Sequence, residues 1–150
     1  MEIDKARIEN GVDIYNLINE AAKEHEVLPR ALGYIYENIR DFWVVSDKDK
    51  IVGCVALHFI WEDLAEIKSL VLDNSFKGKN IGTSLIAEAL KEAQSYNIKR
   101  VFVLTFIPEY FKKSGFRRVD KSELPHKIWA ECINCPKFPN CNEEAMIKEL

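Results

Sequence analysis

The segment Phe76-Lys77-Gly78-Lys79-Asn80-Ile81-Gly82 holds two glycines and two lysines where a strand-like pattern gives way to a helical one. A strand, a tight turn and a helix in that order gather backbone N–H groups at the positive end of a helix dipole, and such an arrangement binds phosphate. Lys77 and Lys79 flank the turn and would add charge-assisted contacts. A glycine-containing strand-to-helix turn is also often no more than a tight turn, so the motif leaves both readings open. A second group able to do chemistry is Cys132-x2-Cys135-x5-Cys141 with His126 upstream, soft ligands in a short irregular segment that would suit a tetrahedral zinc ion. The second close pair of a zinc knuckle is missing. An iron-sulfur centre stays open, as does a tail whose thiols pack on Trp129 and Phe138.

These residues need a frame. Ile14, Leu17, Ile18, Ala21 and Ala22 recur at helical spacing behind Asn10 or Asp13 as N-cap. Ala31, Leu32, Ile35, Tyr36 and Ile39 continue a second helical segment that follows Pro29 and ends near Arg40-Asp41. Phe42 to Val45 and Ile51 to Leu57, joined by the polar Ser46 to Lys50, read as a β-hairpin. A third strand over Leu64 to Leu72 alternates, with Glu66, Lys68, Leu70 and Leu72 on one face and Ile67, Ser69 and Val71 on the other. From Ile81 the stripe Leu85, Ile86, Ala89, Leu90 and Ala93 predicts an amphipathic helix lasting to Asn97. Val101 to Leu104 reads as a buried strand, Glu109 to Lys113 as a short helix and Phe116 to Val119 as a further strand. After Trp129 the composition shifts to an irregular, cysteine-rich appendage, with a helical tail expected from Glu143. The pattern predicts an α/β (α+β) domain, a mixed twisted sheet flanked by helices, over residues 1–129. A cysteine-containing extension over 130–150 is expected to pack on the same domain.

At 150 residues, 47% hydrophobic and 30% charged, the chain is sized and composed as one soluble globular unit. A net charge of -3 argues against nucleic acid as the main partner, since that task needs a concentrated basic face. Met1 to Lys5 alternates charge without the apolar core of a signal peptide, and no apolar run reaches membrane-spanning length. No membrane partner is therefore expected, and a cytoplasmic location is the default. In that reducing setting the four cysteines are free thiols or metal ligands, and Cys54 in an apolar strand reads as a buried small hydrophobe. His25 and His58 have no convincing partners and read as structural.

The stretch from Ala65 through Lys77-Gly78-Lys79-Asn80-Ile81-Gly82 to Leu85 resembles the signature of the GNAT superfamily of N-acetyltransferases, a strand followed by Arg/Gln-x-x-Gly-x-Gly/Ala opening a helix. The resemblance implies a GNAT-like fold with acetyl-CoA as co-substrate. The backbone of Leu70, Val71 and Leu72 would pair with the pantetheine arm, and Lys77, Gly78, Lys79, Asn80, Ile81 and Gly82 would wrap the pyrophosphate. Lys77 stands where the signature has Arg or Gln. Asn80 stands where it has Gly, tolerating left-handed backbone angles but placing a side chain beside the phosphates.

Leu28-Pro29-Arg30, Ile51 to Leu57, Ala65-Glu66-Ile67, Phe102 to Thr105, Tyr110 to Phe116 and Leu124-Pro125-His126-Lys127 together resemble the acetyltransferase domain of N-acetylglutamate synthase. That resemblance covers roughly residues 1–129 and implies acetylation of the α-amine of glutamate, an entry step of arginine synthesis. The kinase-like regulatory domain of many such enzymes is not among these residues, so feedback through it is not expected. Glu66 resembles the strand carboxylate that serves as general base, with a partly buried setting expected to raise its pKa. The alternative is a solvated Glu66-Lys68 pair on the strand face. Arg30 matches the position of a fork-shaped receptor for the acceptor's carboxylates, Lys127 is a second candidate, and for Arg30 a surface salt bridge stays open. Phe111 occupies the place where many members carry a tyrosine acid, while Tyr110, one residue earlier, would point elsewhere. Oxyanion stabilisation would fall to the backbone N–H of Leu70 or Val71. Other acceptors, meaning another small amine or amino acid, and a non-catalytic acyl-CoA-binding or metal-dependent interaction module remain as alternatives. A homodimer is equally open.

Overall fold

A computed structural model describes residues 1–124 and 143–150. Its elements in chain order are β1 (Glu2–Lys5), α1 (Gly11–Lys23), α2 (Leu32–Glu37), β2 (Phe42–Asp47), β3 (Lys50–Trp61), β4 (Leu64–Leu72), α3 (Ile81–Ser95), β5 (Arg100–Thr105), α4 (Pro108–Lys112), β6 (Arg117–Val119) and β7 (Glu144–Glu149), with short 3-10 turns between several of them. The described residues form one seven-stranded sheet in the order β1-β2-β3-β4-β5-β7-β6. Among these strands β4 and β5 are the parallel neighbours, joined by the crossover helix α3. Every other neighbouring pair is antiparallel.

Each face of the sheet is covered. On one, Leu57, Ala65, Ile67, Val103 and Met146 pack against Leu85, Ile86, Ala89 and Ala93 of α3 and against Phe111 of α4. Leu85 and Ile86 are fully buried, so truncating either to Ala should cost about 2–5 kcal/mol. On the other face Phe42, Val44, Cys54, Ala56 and Val71 meet Ile14, Ile18, Ile35 and Ile39 from the α1 and α2 region. Farther along that face, Leu64, Phe102, Leu124, Ala145 and Ile147 form a separate apolar cluster.

Two expectations from the periodicity are corrected. The C-terminal residues are not a helix: Glu144–Glu149 is β7, inserted between β5 and β6. Ala145 and Ile147 join one cluster while Met146 joins the other, so this short strand is buried on both faces and shows no alternation of polarity. With Ala145, Met146 and Ile147 buried in a row between charged residues, so short a run cannot be told from a helical one by period. The charged N-terminus, for which the periodicity predicted no element, is β1, an edge strand paired with β2 whose residues alternate between exposed and half-buried. The second correction concerns the faces of β4. Glu66 and Lys68 do share a face, but Leu70 and Leu72 pack with the α3 cluster and Val71 with the α1 cluster, the reverse of strict alternation. A bulge inserts one extra residue there and flips every side chain beyond it.

Candidate active site

The bulge also opens the sheet. Going along β4, Lys68 pairs with Ala56 and Val71 with Cys54, so Ser69 and Leu70 together oppose Val55. Ser69 takes φ 53°, a left-handed backbone angle rare for a residue with a Cβ. Pairing of β4 with β5 runs from Leu64↔Arg100 to Ile67↔Val103 and stops there, just before the bulge. Beyond it the two strands splay into a cleft lined by Glu66, Lys68, Ser69, Leu70, Leu104, Thr105 and Phe111, with Glu26, Leu28 and Arg30 entering from the loop between α1 and α2. The Cys54 thiol supports the bulge by donating to the Ser69 carbonyl at 3.4 Å. Burial pushes that thiol up to about 12, only partly opposed by a hydrogen bond from the Val71 backbone, which keeps it protonated and unreactive.

Glu66 is 6% exposed. Lys68 Nζ lies 3.7 Å from its Oε1, and both side chains are almost wholly enclosed, so the pair exists but is buried rather than solvated. Lys68 is thus a cation inside the cleft, a placement the sequence reading treated only as a strand-face pair. The Arg30 backbone is fixed by Asn19, whose Nδ2 donates to the Arg30 carbonyl at 2.9 Å and whose Oδ1 accepts from the Arg30 N–H at 3.3 Å. Its guanidinium stacks 4.7 Å over the Tyr34 ring. Asn19 and Tyr34 lie on helices one and two, so only tertiary packing joins them to Arg30.

The phosphate-binding candidate is a built turn. Asp73 caps its entrance, accepting from the Ser75 hydroxyl at 2.7 Å and the Ser75 N–H at 3.0 Å. Those two bonds hold the Asp73 carboxyl below its ordinary range. Gly78 follows with φ 81° and Asn80 with φ 61° and ψ 15°, and α3 starts at Ile81. The first N–H groups of α3 have no intrahelical acceptor by virtue of their position. At Gly82 a Cβ would collide with the Tyr110 hydroxyl, so the glycine lets the α4 tyrosine approach the helix end. Tyr110 therefore points to the turn, and its neighbour Phe111 fills the cleft wall. Lys77 Nζ reaches across to the Glu26 carboxylate at 2.8 Å, and Lys79 Nζ sits 5.3 Å over the Phe76 ring.

Leu70, Val71 and Leu72 lie beyond the end of the β4–β5 ladder, Val71 and Leu72 still held by β3 on the other side. The structure thus brings Glu66, Lys68, Leu70 and Arg30 around one cleft. Lys127, His126, Cys132, Cys135 and Cys141 lie outside the described residues. Among the described residues no group of His, Cys, Asp and Glu is placed to hold a metal ion, and no helix is long and apolar enough to cross a membrane. His58 departs from the expectation of a histidine without partners: its Nδ1 is 2.7 Å from Asp41 Oδ2. Neither residue carries a motif, and their contact depends on where the turn before β2 meets β3.

The acetyltransferase (GNAT) family model matches residues 11–116. An uncharacterised N-acetyltransferase of Chlorobaculum tepidum is 37% identical over 99% of this chain and 96% of its own length. The amino-acid acetyltransferase of Mycobacterium tuberculosis is 35% identical over 70% of this chain and 62% of its own length. Among solved structures, a Mycobacterium tuberculosis protein crystallised with CoA superposes with TM-score 0.86 at 28% identity, over 100% of this chain and 99% of that one. The N-acetylglutamate synthase of Neisseria gonorrhoeae, complexed with coenzyme A and N-acetyl-glutamate, reaches TM-score 0.90 at 24% identity, over 99% of this chain but 35% of that longer one, a likeness of fold. With a seven-stranded sheet split at β4 and β5 and a left-handed turn opening α3, this chain belongs to the acetyltransferase (GNAT) family.

Proposed function

We propose that the chain transfers the acetyl group of acetyl-CoA to the α-amine of glutamate. The observation that carries the choice of acceptor is the presence of two cations, Arg30 and Lys68, beside the buried Glu66 carboxylate in one cleft. An acidic amino acid offers two carboxylates to two cations and leaves its amine for the remaining carboxylate. Arginine suits that task because its planar fork matches a carboxylate, and Asn19 and Tyr34 hold it in place. The relatives named amino-acid acetyltransferase support the same acceptor class.

The turn at Lys77 to Gly82 would take the pyrophosphate on the α3 N-terminus, and the β4 edge at Leu70 to Leu72 would hold the pantetheine arm. The acceptor enters as an ammonium without a lone pair. Glu66, directly or through a water, removes one proton, and the neutral amine attacks the thioester carbonyl. The tetrahedral oxyanion is met by the backbone N–H of Leu70, since that of Val71 already donates to the Cys54 thiol. Its collapse breaks the C–S bond and releases a thiolate, whose ordinary pKa near 8.5 lets it leave without a dedicated acid; the second proton still on the newly acylated nitrogen passes to that thiolate or to water, leaving the neutral amide. That tolerance suits a cleft wall built from Phe111.

Thiol release from acetyl-CoA, followed across a panel of amino acids and small amines, tests this reading. Glutamate should turn over best, and Arg30→Ala should raise its KM about tenfold or more, the value of one lost charged hydrogen bond. Turnover with other amines but not glutamate would overturn the acceptor assignment. Tight coenzyme binding without turnover on any amine would overturn the enzymatic one.

A further inference from the structure

We infer that His58, held by Asp41, is the positioning and relay group through which the proton collected by Glu66 leaves the cleft, an inference that rests on Glu66 acting as base. In the β3–β4 ladder His58 is the direct partner of Glu66. Directly opposed residues of an antiparallel pair point to the same face with Cβ atoms about 4.5–5.5 Å apart. That face is otherwise apolar, with the Cys54, Ala56 and Val71 cluster on one side and the Leu64, Phe102 and Ile147 cluster on the other. His58, Glu66 and Lys68 make a polar band between two greasy regions, which packing alone does not require.

Exposure rises along this band. The Glu66 side chain is 7% exposed, Asp41 22% and His58 34%, so the histidine paired with the enclosed carboxyl is the member of the band that meets water. The Asp41 carboxylate accepts from Nδ1–H at 2.7 Å, which fixes the tautomer and turns the basic lone pair to Nε2. The charged groups facing His58 among the described residues are Asp41, with Arg40 beside it, from the turn before β2, and Glu66 and Lys68 from β4. Phe102 on β5, the partner of Glu66, contributes none.

Each turnover loads Glu66 with the proton broken from the acceptor N–H bond, and an enclosed carboxylic acid must give it up before the next. Lys68, as an ammonium, cannot accept it. In the relay the Glu66 O–H bond breaks, directly or through one water, and an N–H bond forms at His58 Nε2. The imidazolium is stabilised by Asp41 and passes the proton to solvent at its exposed edge, restoring the starting state.

The test is the pH dependence of kcat and kcat/KM for wild type, His58→Gln, Asp41→Asn and Glu66→Gln, with the best amine of the panel above. Glutamine keeps a neutral donor for Asp41 but cannot carry a proton. His58→Gln should lower kcat on the order of 10²-fold, with KM for both substrates within about twofold, and the His58→Gln/Glu66→Gln pair should lose no more than Glu66→Gln alone. His58→Ala should regain rate in proportion to added imidazole, which a purely structural histidine would not show. A wild-type kcat and pH profile in His58→Gln, or a loss in His58→Ala that imidazole does not restore, would overturn the relay while leaving the base intact. Full activity in Glu66→Gln would overturn the base itself, and the relay with it.

Discussion

Asn80 sits at φ 61° and ψ 15° at the entrance to α3, and its side chain makes no capping hydrogen bond to the helix. Truncating it to alanine removes no such bond and therefore isolates the backbone term. An L residue with a Cβ in this conformation costs about 1–2 kcal/mol; asparagine pays less of this than alanine, and glycine escapes it. Asn80→Ala should lower stability by about 1 kcal/mol, or about 2–4 °C in Tm for a domain of this size. Asn80→Gly should stay within about 0.5 kcal/mol of wild type. The same backbone angle aims the first N–H groups of α3, so the two variants should also separate in coenzyme affinity. Alanine, by relaxing the turn, should weaken CoA binding, whereas glycine keeps the turn, clears the side chain and should tighten it. Thermal unfolding by circular dichroism and calorimetric titration with CoA give both quantities. An alanine variant as stable as the glycine one would refute the reasoning, because the left-handed turn would then not be held in solution. Weaker binding by Asn80→Gly would show that the Asn80 amide is itself a ligand contact.

Other consequences of the structure are open to test. Gly82→Ala should weaken CoA binding by driving the Tyr110 hydroxyl away; Tyr110→Phe, whose ring carbon Cζ would remain 3.2 Å from the new Cβ, should restore part of the loss, and strict additivity of the two changes would refute the contact. Glu26→Gln frees Lys77 for the pyrophosphate and should tighten CoA binding at low salt, an effect that fades as salt screens this half-exposed pair; equal affinities at low salt would refute it. Cys54 bears on stability at high pH. Its folded-state value of about 12 lies above the ordinary 9.0, so between these values the unfolded chain has lost a proton that the folded one keeps, and stability falls as pH rises. The slope is about 1.4 kcal/mol per pH unit. Denaturant titrations of wild type and Cys54→Ala at pH 8 and pH 10 should differ by about 1 kcal/mol more at the lower pH, and a constant difference would count against a buried thiol.

Much of the frame was legible because its elements are long and strongly periodic. The stripe from Leu85 to Ala93 needed only the helical period to declare α3, and the run from Leu64 to Leu72 marked the extent of β4. Gly78 and Asn80 announced a left-handed turn through residue type, and both angles are positive. What escaped was short or double-sided: β7 buries Ala145, Met146 and Ile147 in a row and so shows no strand alternation, and β1 is a charged edge whose partner is some forty residues away in β2. The Ser69 bulge carries no glycine to mark it.

By itself the sequence determined the local features, because turn chemistry, helical amphipathicity and strand alternation depend on neighbours within a few residues. From those, and from a resemblance spread over most of the chain, the family and the left-handed turn before α3 could be read. The tertiary structure decided which side chains share a cleft. Registers between β3, β4 and β5 set where the sheet splits, bury Lys68 with Glu66, and place His58 opposite that carboxylate. Packing of α1 and α2 brings Asn19 and Tyr34 to Arg30. Such contacts join residues distant in the chain through strand register and bulges, and a one-residue slip in pairing, which composition and spacing leave almost unmarked, exchanges one set of neighbours for the other.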